Sequence, residues 1–213
     1  MSDLELKQRI LDTAKEHFFA NGFSKFTMEE FAHSMGMSKK TIYKFFASKD
    51  ELVKEITREQ LRRIHTQCEI FRNDTSIEFI DRIKHTINFL TVEMQAMKPQ
   101  FSLDIQRTMP DLWKEVDGFR NEKVMEDFAL MVKQGVDLGI FRTDVNVQVF
   151  VLMYAAAMRS IINPEILSQL PINLSQAYQA AVTVFFEGMM TDEGRKKYQN
   201  KINEQPKEEV LAQ

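Results

Sequence analysis

The chain has 213 residues, 44% of them hydrophobic, and carries 28 Lys and Arg against 31 Asp and Glu. It is therefore long enough to bury a sizeable core as one large or two small domains, on a net charge of only −3. Seven Gly and five Pro against 17 Phe and 13 Met exclude a collagenous or low-complexity chain and favour a helix-rich globular one. The single cysteine, Cys68, excludes an intrachain disulfide framework. No stretch approaches the ~18 uninterrupted apolar residues of a membrane span, and the opening MSDLELKQRI is too acidic for a signal peptide, so a soluble cytoplasmic protein is expected.

Ser2-Asp3-Leu4-Glu5 forms a capping box and predicts a helix over 4–20. Its Leu6, Ile10, Ala14 and Phe18 recur every four residues beside Leu11 and Phe19, a stripe suited to packing across the next two helices. Thr27-Met28-Glu29-Glu30 is a second capping box, and Met28, Phe31, Ala32 and Met35 fall at i, i+3, i+4 and i+7 of a short helix. Gly36 follows as a turn residue, Ser38 is the next N-cap, and residues 39–46 form a second short helix. Ser48-Lys49-Asp50-Glu51 opens a third, longer one. Helix, Gly-containing turn, helix is the layout whose second helix enters a DNA major groove. Ile42 and Phe46 face inward with Phe31 and Met35, which leaves Ser38, Lys39, Lys40, Thr41, Tyr43 and Lys44 outside. Such a basic, hydroxylic and aromatic set suits phosphates and base edges. Between Lys25 and Lys49 five lysines face two acids, a basic patch on an acidic chain. Charge alone fits an ordinary solvated face equally well; charge, turn and caps together favour DNA.

The same residues carry a family resemblance. Thr27, Phe31-Ala32, Gly36-Met37-Ser38, Thr41-Ile42-Tyr43, Phe46 and Ser48-Lys49-Asp50-Glu51-Leu52 match in order the pattern of the TetR-type transcriptional regulators, and Asn21-Gly22-Phe23 matches the bend after their first helix. Lys40 departs from it, because the family often has Gly there, and this bears on the base sequence read. The resemblance covers roughly the first fifty residues. It implies a helix-turn-helix domain, a helical effector-binding domain and a dimer.

Lys49 begins a helix that runs without Gly or Pro to about Phe71, with Leu52, Ile56, Ile64, Cys68 and Phe71 on its apolar side. A helix N-terminus favours an anion, so Lys49 is expected at a DNA phosphate, as are Thr27 and Tyr43. Thr75-Ser76-Ile77-Glu78 reads as a capping box for a helix ending at Lys98-Pro99. A short helix over 101–108 stops near Pro110, and one long helix is expected over 111–138, closed by Gly135 and Gly139. Asp144 reads as the cap of a helix over 145–162, Pro164 ends it, and Asn173 starts another. These last two helices are apolar over much of their circumference and must be buried. Ordinary core is one explanation. The other, which the resemblance also implies, is a symmetric four-helix interface carrying Phe150, Tyr154, Met158, Ala181, Phe185 and Met189. Two subunits would present two recognition helices to half-sites one helical turn (roughly 34 Å) apart. Residues 192–213 are polar and are expected to be a tail whose last ten residues fray.

The expectation is thus an all-α protein: a helix-turn-helix domain over 1–48, a larger helical-bundle domain for effector binding and dimerisation over 49–191, and a tail over 192–213. Its partners would be operator DNA, a second copy of itself and a small, mainly apolar or amphipathic effector, with no membrane. Phe101, Ile105, Met109 and Trp113, around the Pro-punctuated segment, are candidates for the effector lining, although a Met and Phe stripe is more often plain core. DNA contacts are assigned to Thr27, Ser38, Lys39, Lys40, Thr41, Tyr43, Lys44 and Lys49. Glu30-x-x-His33 and His65-x-x-Cys68 are lone pairs without a second copy, no phosphate-cradling Gly loop occurs, and no cofactor, metal or catalytic residue is assigned. The function expected is a ligand-responsive repressor. The alternatives are a sequence-insensitive architectural DNA binder and a helical enzyme or metal protein that retains the motif.

Overall fold

The computed structural model describes residues 2–203, in which there are helices but no strands. The helices are α1 (Asp3–Asn21), α2 (Met28–Ser34), α3 (Lys39–Phe45), α4 (Lys49–Asn73), α5 (Phe79–Ala96), α6 (Pro99–Thr108), α7 (Pro110–Phe119), α8 (Met125–Asp137), α9 (Val147–Ile162), α10 (Pro164–Leu167), α11 (Leu174–Met189) and α12 (Asp192–Asn203). They form two compact units. The first is the chain through Thr66 together with Val92–Arg120; the second is Gln67–Thr91 together with the chain from Asn121 onward.

In the first unit Ile10, Ala14 and Phe18 of α1, Ile42 of α3 and Leu52 and Val53 of α4 have no exposed surface at all. Phe31, Ala32 and Phe46 join them, and so do Phe101, Ile105, Met109 and Leu112 from α6 and α7. Local caps set the helix starts. Ser2 and Glu5 make a reciprocal box. Thr27 Oγ1 accepts from the Glu30 amide at 3.2 Å and donates to the Glu30 carboxylate at 2.6 Å. Ser48 Oγ accepts from the Glu51 amide, while the Glu51 carboxylate reaches one residue further back, to the Ala47 amide at 2.7 Å.

The second unit is built on aromatic packing. Phe128 stacks on Tyr154 at 3.9 Å, and the Phe186 ring meets those of both Phe128 and Phe141. Phe141 lies so close to Gly135 that a Cβ there would stand 2.1 Å from its ring. The chain leaving α8 pairs with the end of α11: Arg142 N donates to Met189 O at 2.8 Å and Thr191 N to Ile140 O at 2.9 Å, around an isolated antiparallel bridge between Phe141 and Met190.

Several local expectations are corrected. Helix α5 begins at Phe79, because Asp74 takes the Ser76 amide at 2.9 Å in a local turn that displaces a start at Thr75 or Ser76. The helix expected over 111–138 is broken by a single π-helical turn, Arg120–Val124, after Gly118. Asp144 is held by Arg142 at 2.6 Å, and Asn146 caps α9 instead, accepting from Val149 N at 3.0 Å. Residues 192–203 form a helix, which starts where Thr191 Oγ1 accepts from Gly194 N at 3.0 Å and is supported by a Glu193–Lys197 pair at 2.8 Å. Residues 204–213 lie outside the described residues.

Candidate nucleic-acid interface

Helix α3 is only seven residues long, and Ile42 is its one buried side chain. Ile42 and the following Phe46, 1% exposed, pull one side of the helix into the core and turn the other outward. On that outer side Ser38, Lys39, Lys40, Tyr43 and Lys44 are exposed and Thr41 is half-buried. Ser38 Oγ accepts from Thr41 N at 3.1 Å and lies 2.7 Å from Thr41 Oγ1, so both hydroxyls are oriented before any ligand arrives. Lys39 pairs with Glu29 at 3.3 Å and Lys44 with Asp3 at 2.6 Å. Exposed pairs of this kind contribute little and are screened by salt, so both ammonium groups can be exchanged to phosphate. Lys40 makes no ion pair among the described residues. Tyr43 presents a ring 41% exposed.

The turn before α2 is held from two sides. Phe23 N and Ser24 N both donate to Asp104 Oδ2, at 2.7 and 2.8 Å, from α6. Asp104 is 3% exposed; burial raises its pKa, but hydrogen bonds from Ser24, from the Phe23 amide and from Gln100 outweigh this and leave it below the ordinary carboxylate value. The carbonyls of the same turn go to Lys49, whose Nζ donates to Phe23 O at 3.1 Å and to Phe26 O at 3.3 Å. Lys49 is therefore half-buried and folded back onto its own domain, in place of the outward position expected for a phosphate contact. Sequence reasoning missed Asp104 altogether, since its partners lie some eighty residues earlier.

Residues 10–56 match the model of the bacterial regulatory proteins of the tetR family. That stretch is a TetR-type N-terminal domain. An uncharacterized HTH-type transcriptional regulator, YvaF of Bacillus subtilis (strain 168), is 25% identical to it over 189 residues, covering 88% of this chain and 97% of the relative. A TetR-family regulator from Agrobacterium tumefaciens has the same fold at a TM-score of 0.68 and 12% identity, covering 89% of this chain and 100% of that one. FadR from Bacillus subtilis, solved in complex with stearoyl-CoA, does so at 0.60 and 13%, covering 85% and 98%. The fold is one shared with solved TetR-family regulators.

The other candidate residues divide between buried core and partly exposed positions. Phe101, Ile105 and Met109 are buried in the core of the first unit, where the Phe101 ring meets those of Phe19 at 5.0 Å and Phe23 at 5.9 Å; Trp113 packs against the same core. They anchor α6 and α7 on α1. The Pro-punctuated segment is pinned as well, Lys98 N donating to Phe19 O at 2.9 Å. Of the six interface candidates, Phe150, Tyr154, Met158 and Met189 are buried within their own unit and Ala181 and Phe185 are half-buried. The exposed apolar side chains of the two adjacent helices are Val149, Leu152 and Met153 on α9 and Val184 on α11, between 53% and 71% accessible.

Among the described residues no three His, Cys, Asp or Glu side chains are placed to hold a metal ion, and no helix is long and apolar enough to cross a membrane. Cys68 is half-buried; burial, then the nearby Asp127 carboxylate, push its thiol up to about 12.

Proposed function

We propose that the protein is a homodimeric, ligand-responsive transcriptional repressor that reads a (pseudo)palindromic operator. The observation that carries this reading is the outer face of α3: Ser38, Lys39, Lys40, Tyr43 and Lys44 exposed together on a helix anchored by Ile42 and Phe46. Lys40 and Tyr43 meet base edges, Lys39 and Lys44 exchange their carboxylate partners for phosphate, and the exposed Thr27 hydroxyl adds a backbone contact. Ser38 and Thr41 fix the start of the helix. Lys49 acts through the turn it holds, not as a phosphate ligand. The second copy docks on Val149, Leu152, Met153 and Val184, an exposed aliphatic cluster on neighbouring helices that a monomer would leave in water. The effector is small and mainly apolar or amphipathic. The acyl-CoA bound by FadR, which shares the fold, supports that chemistry. Such a ligand lowers DNA affinity only by its differential affinity for the two states of the protein.

The test is binding to double-stranded DNA flanking the protein's own gene, against random DNA, across a salt series. Specific binding at least ~10³-fold tighter with a steep salt slope is expected. Equal, salt-sensitive binding to both would make the protein an architectural DNA binder, and no binding at low salt would refute the reading.

A further inference from the structure

We infer that Asp104 is a positioning residue for DNA binding: its carboxylate, carried on α6, fixes the turn from which α2 and α3 are launched, with Lys49 gripping that turn from the opposite side. This inference rests on the DNA-binding role proposed above.

Neither α2 nor α3 is large enough to set its own orientation. Each has seven residues, with Met28, Phe31 and Ala32 buried on one and only Ile42 on the other. Their placement depends on how their ends are held. At the entrance, the turn offers its Phe23 and Ser24 amides to a single oxygen of Asp104, the first bond fully buried. A surface turn satisfies such amides with water at no cost in ordering a distant side chain. Here a buried charge is used instead, and a carboxylate accepting amide hydrogens is a stronger and more directional partner. The second oxygen is held by Gln100 Nε2 at 2.6 Å, so the carboxylate itself cannot swivel. Backbone and carboxylate are so closely apposed that a Cβ on Gly22 would stand 2.5 Å from Asp104 Oδ2.

At the exit, Lys49 is the first residue of α4, yet its ammonium returns to Phe23 O and Phe26 O. That contact closes the segment into a loop: turn, α2, α3, Lys49, and back to the turn. Phe23 gives its amide to the anion and its carbonyl to the cation, so the loop is closed and pinned to α6 at one residue. The pose of the recognition helix is thus referred to α6, although Asp104 touches no part of the DNA-facing surface.

The experiment compares full-length wild type, Asp104→Asn, Lys49→Met and Lys49→Arg by amide hydrogen exchange without DNA and by binding to DNA from upstream of the protein's own gene across a salt series. Asp104→Asn is expected to raise exchange at least tenfold, not only at Phe23 and Ser24 but through α2 and α3, with α9 and α11 unchanged. It should weaken DNA binding at least tenfold without altering the salt slope, because no phosphate contact is removed. Lys49→Met should do the same, and Lys49→Arg, which keeps a donor, should restore most of it. Should Asp104→Asn unfold the chain, Lys49→Met decides on the same readouts. Exchange confined to the two turn amides, with DNA affinity within about twofold of wild type, would make Asp104 a turn cap only and overturn the inference. So would a Lys49→Met salt slope lower by one phosphate. If wild type binds no DNA, the functional reading fails by itself, and the exchange pattern still decides whether the two side chains position α2 and α3.

Discussion

Replacing Gly22 with alanine strikes the turn where it is tightest. Gly22 has φ 73° and ψ −176°, a region that L residues almost never occupy, and imposing it on alanine costs about 1–3 kcal/mol. The new Cβ would also lie 2.5 Å from Asp104 Oδ2 and 2.6 Å from Gln100 Cγ, so the carboxylate has to back away from the amides it holds. Leaving even one of those amides unsatisfied in the interior adds about 1–3 kcal/mol. Loss of chain entropy in the unfolded state returns only about 0.4–1 kcal/mol. The net expectation is a destabilisation of about 1–5.5 kcal/mol, up to a large part of the margin of an ordinary domain. Urea unfolding should show a lower midpoint at unchanged m-value. Gly36→Ala is the internal control. Gly36 also has positive φ, 66°, but a Cβ there meets nothing within 4 Å, so only the backbone contribution of about 1–2 kcal/mol remains. If the two variants were destabilised equally, to within about 0.5 kcal/mol, the apposition of Gly22 and Asp104 would carry no energy and the reasoning about the turn would be refuted.

Lys40→Gly should change the preferred operator sequence by about 1–3 kcal/mol at one position, measured by selection from randomised DNA; an unchanged preferred site would remove Lys40 from base reading. The double change Leu152→Asp and Val184→Asp should convert a dimer to a folded monomer in sedimentation at micromolar concentration, whereas a persistent dimer would place the interface elsewhere. With its thiol pushed up to about 12, Cys68 should react with iodoacetamide at pH 8 at least about a hundredfold more slowly in the native protein than in urea. Comparable native and denatured rates would contradict its burial.

How much of this was legible in the sequence depends on how far apart the interacting groups lie. The caps at Ser2, Thr27, Ser38 and Asn173 act within three residues and could be read directly, as could the inward stripe of Ile10, Ala14 and Phe18. Lys49 looks the same in a sequence whether it reaches for a phosphate or folds back to Phe23 and Phe26, because the choice is made by carbonyls more than twenty residues earlier. Asp104 is one acidic residue in an amphipathic helix until the turn at Phe23 is brought to it. Phe101, Ile105 and Met109 have the spacing of a pocket lining and of a core alike, and their packing against α1 appears only once the chain is folded. On α9 the difficulty is different. A helix apolar on nearly every side has no periodic contrast, so Tyr154, 6% exposed, and Leu152, 69% exposed, cannot be told apart by pattern.

The composition of the first unit also bears on how it could be grafted between chains. It is assembled from two stretches of chain, one through Thr66 and another, Val92–Arg120, that brings Phe101, Asp104 and Ile105 to α1 and its turn. A chimera that grafted only residues 1–48 onto a foreign chain would arrive without those side chains, its core open on one flank and its turn amides unpartnered. The pair α2 and α3 is therefore expected to keep its geometry only with a matching α6, and crossovers should survive best where both stretches travel together.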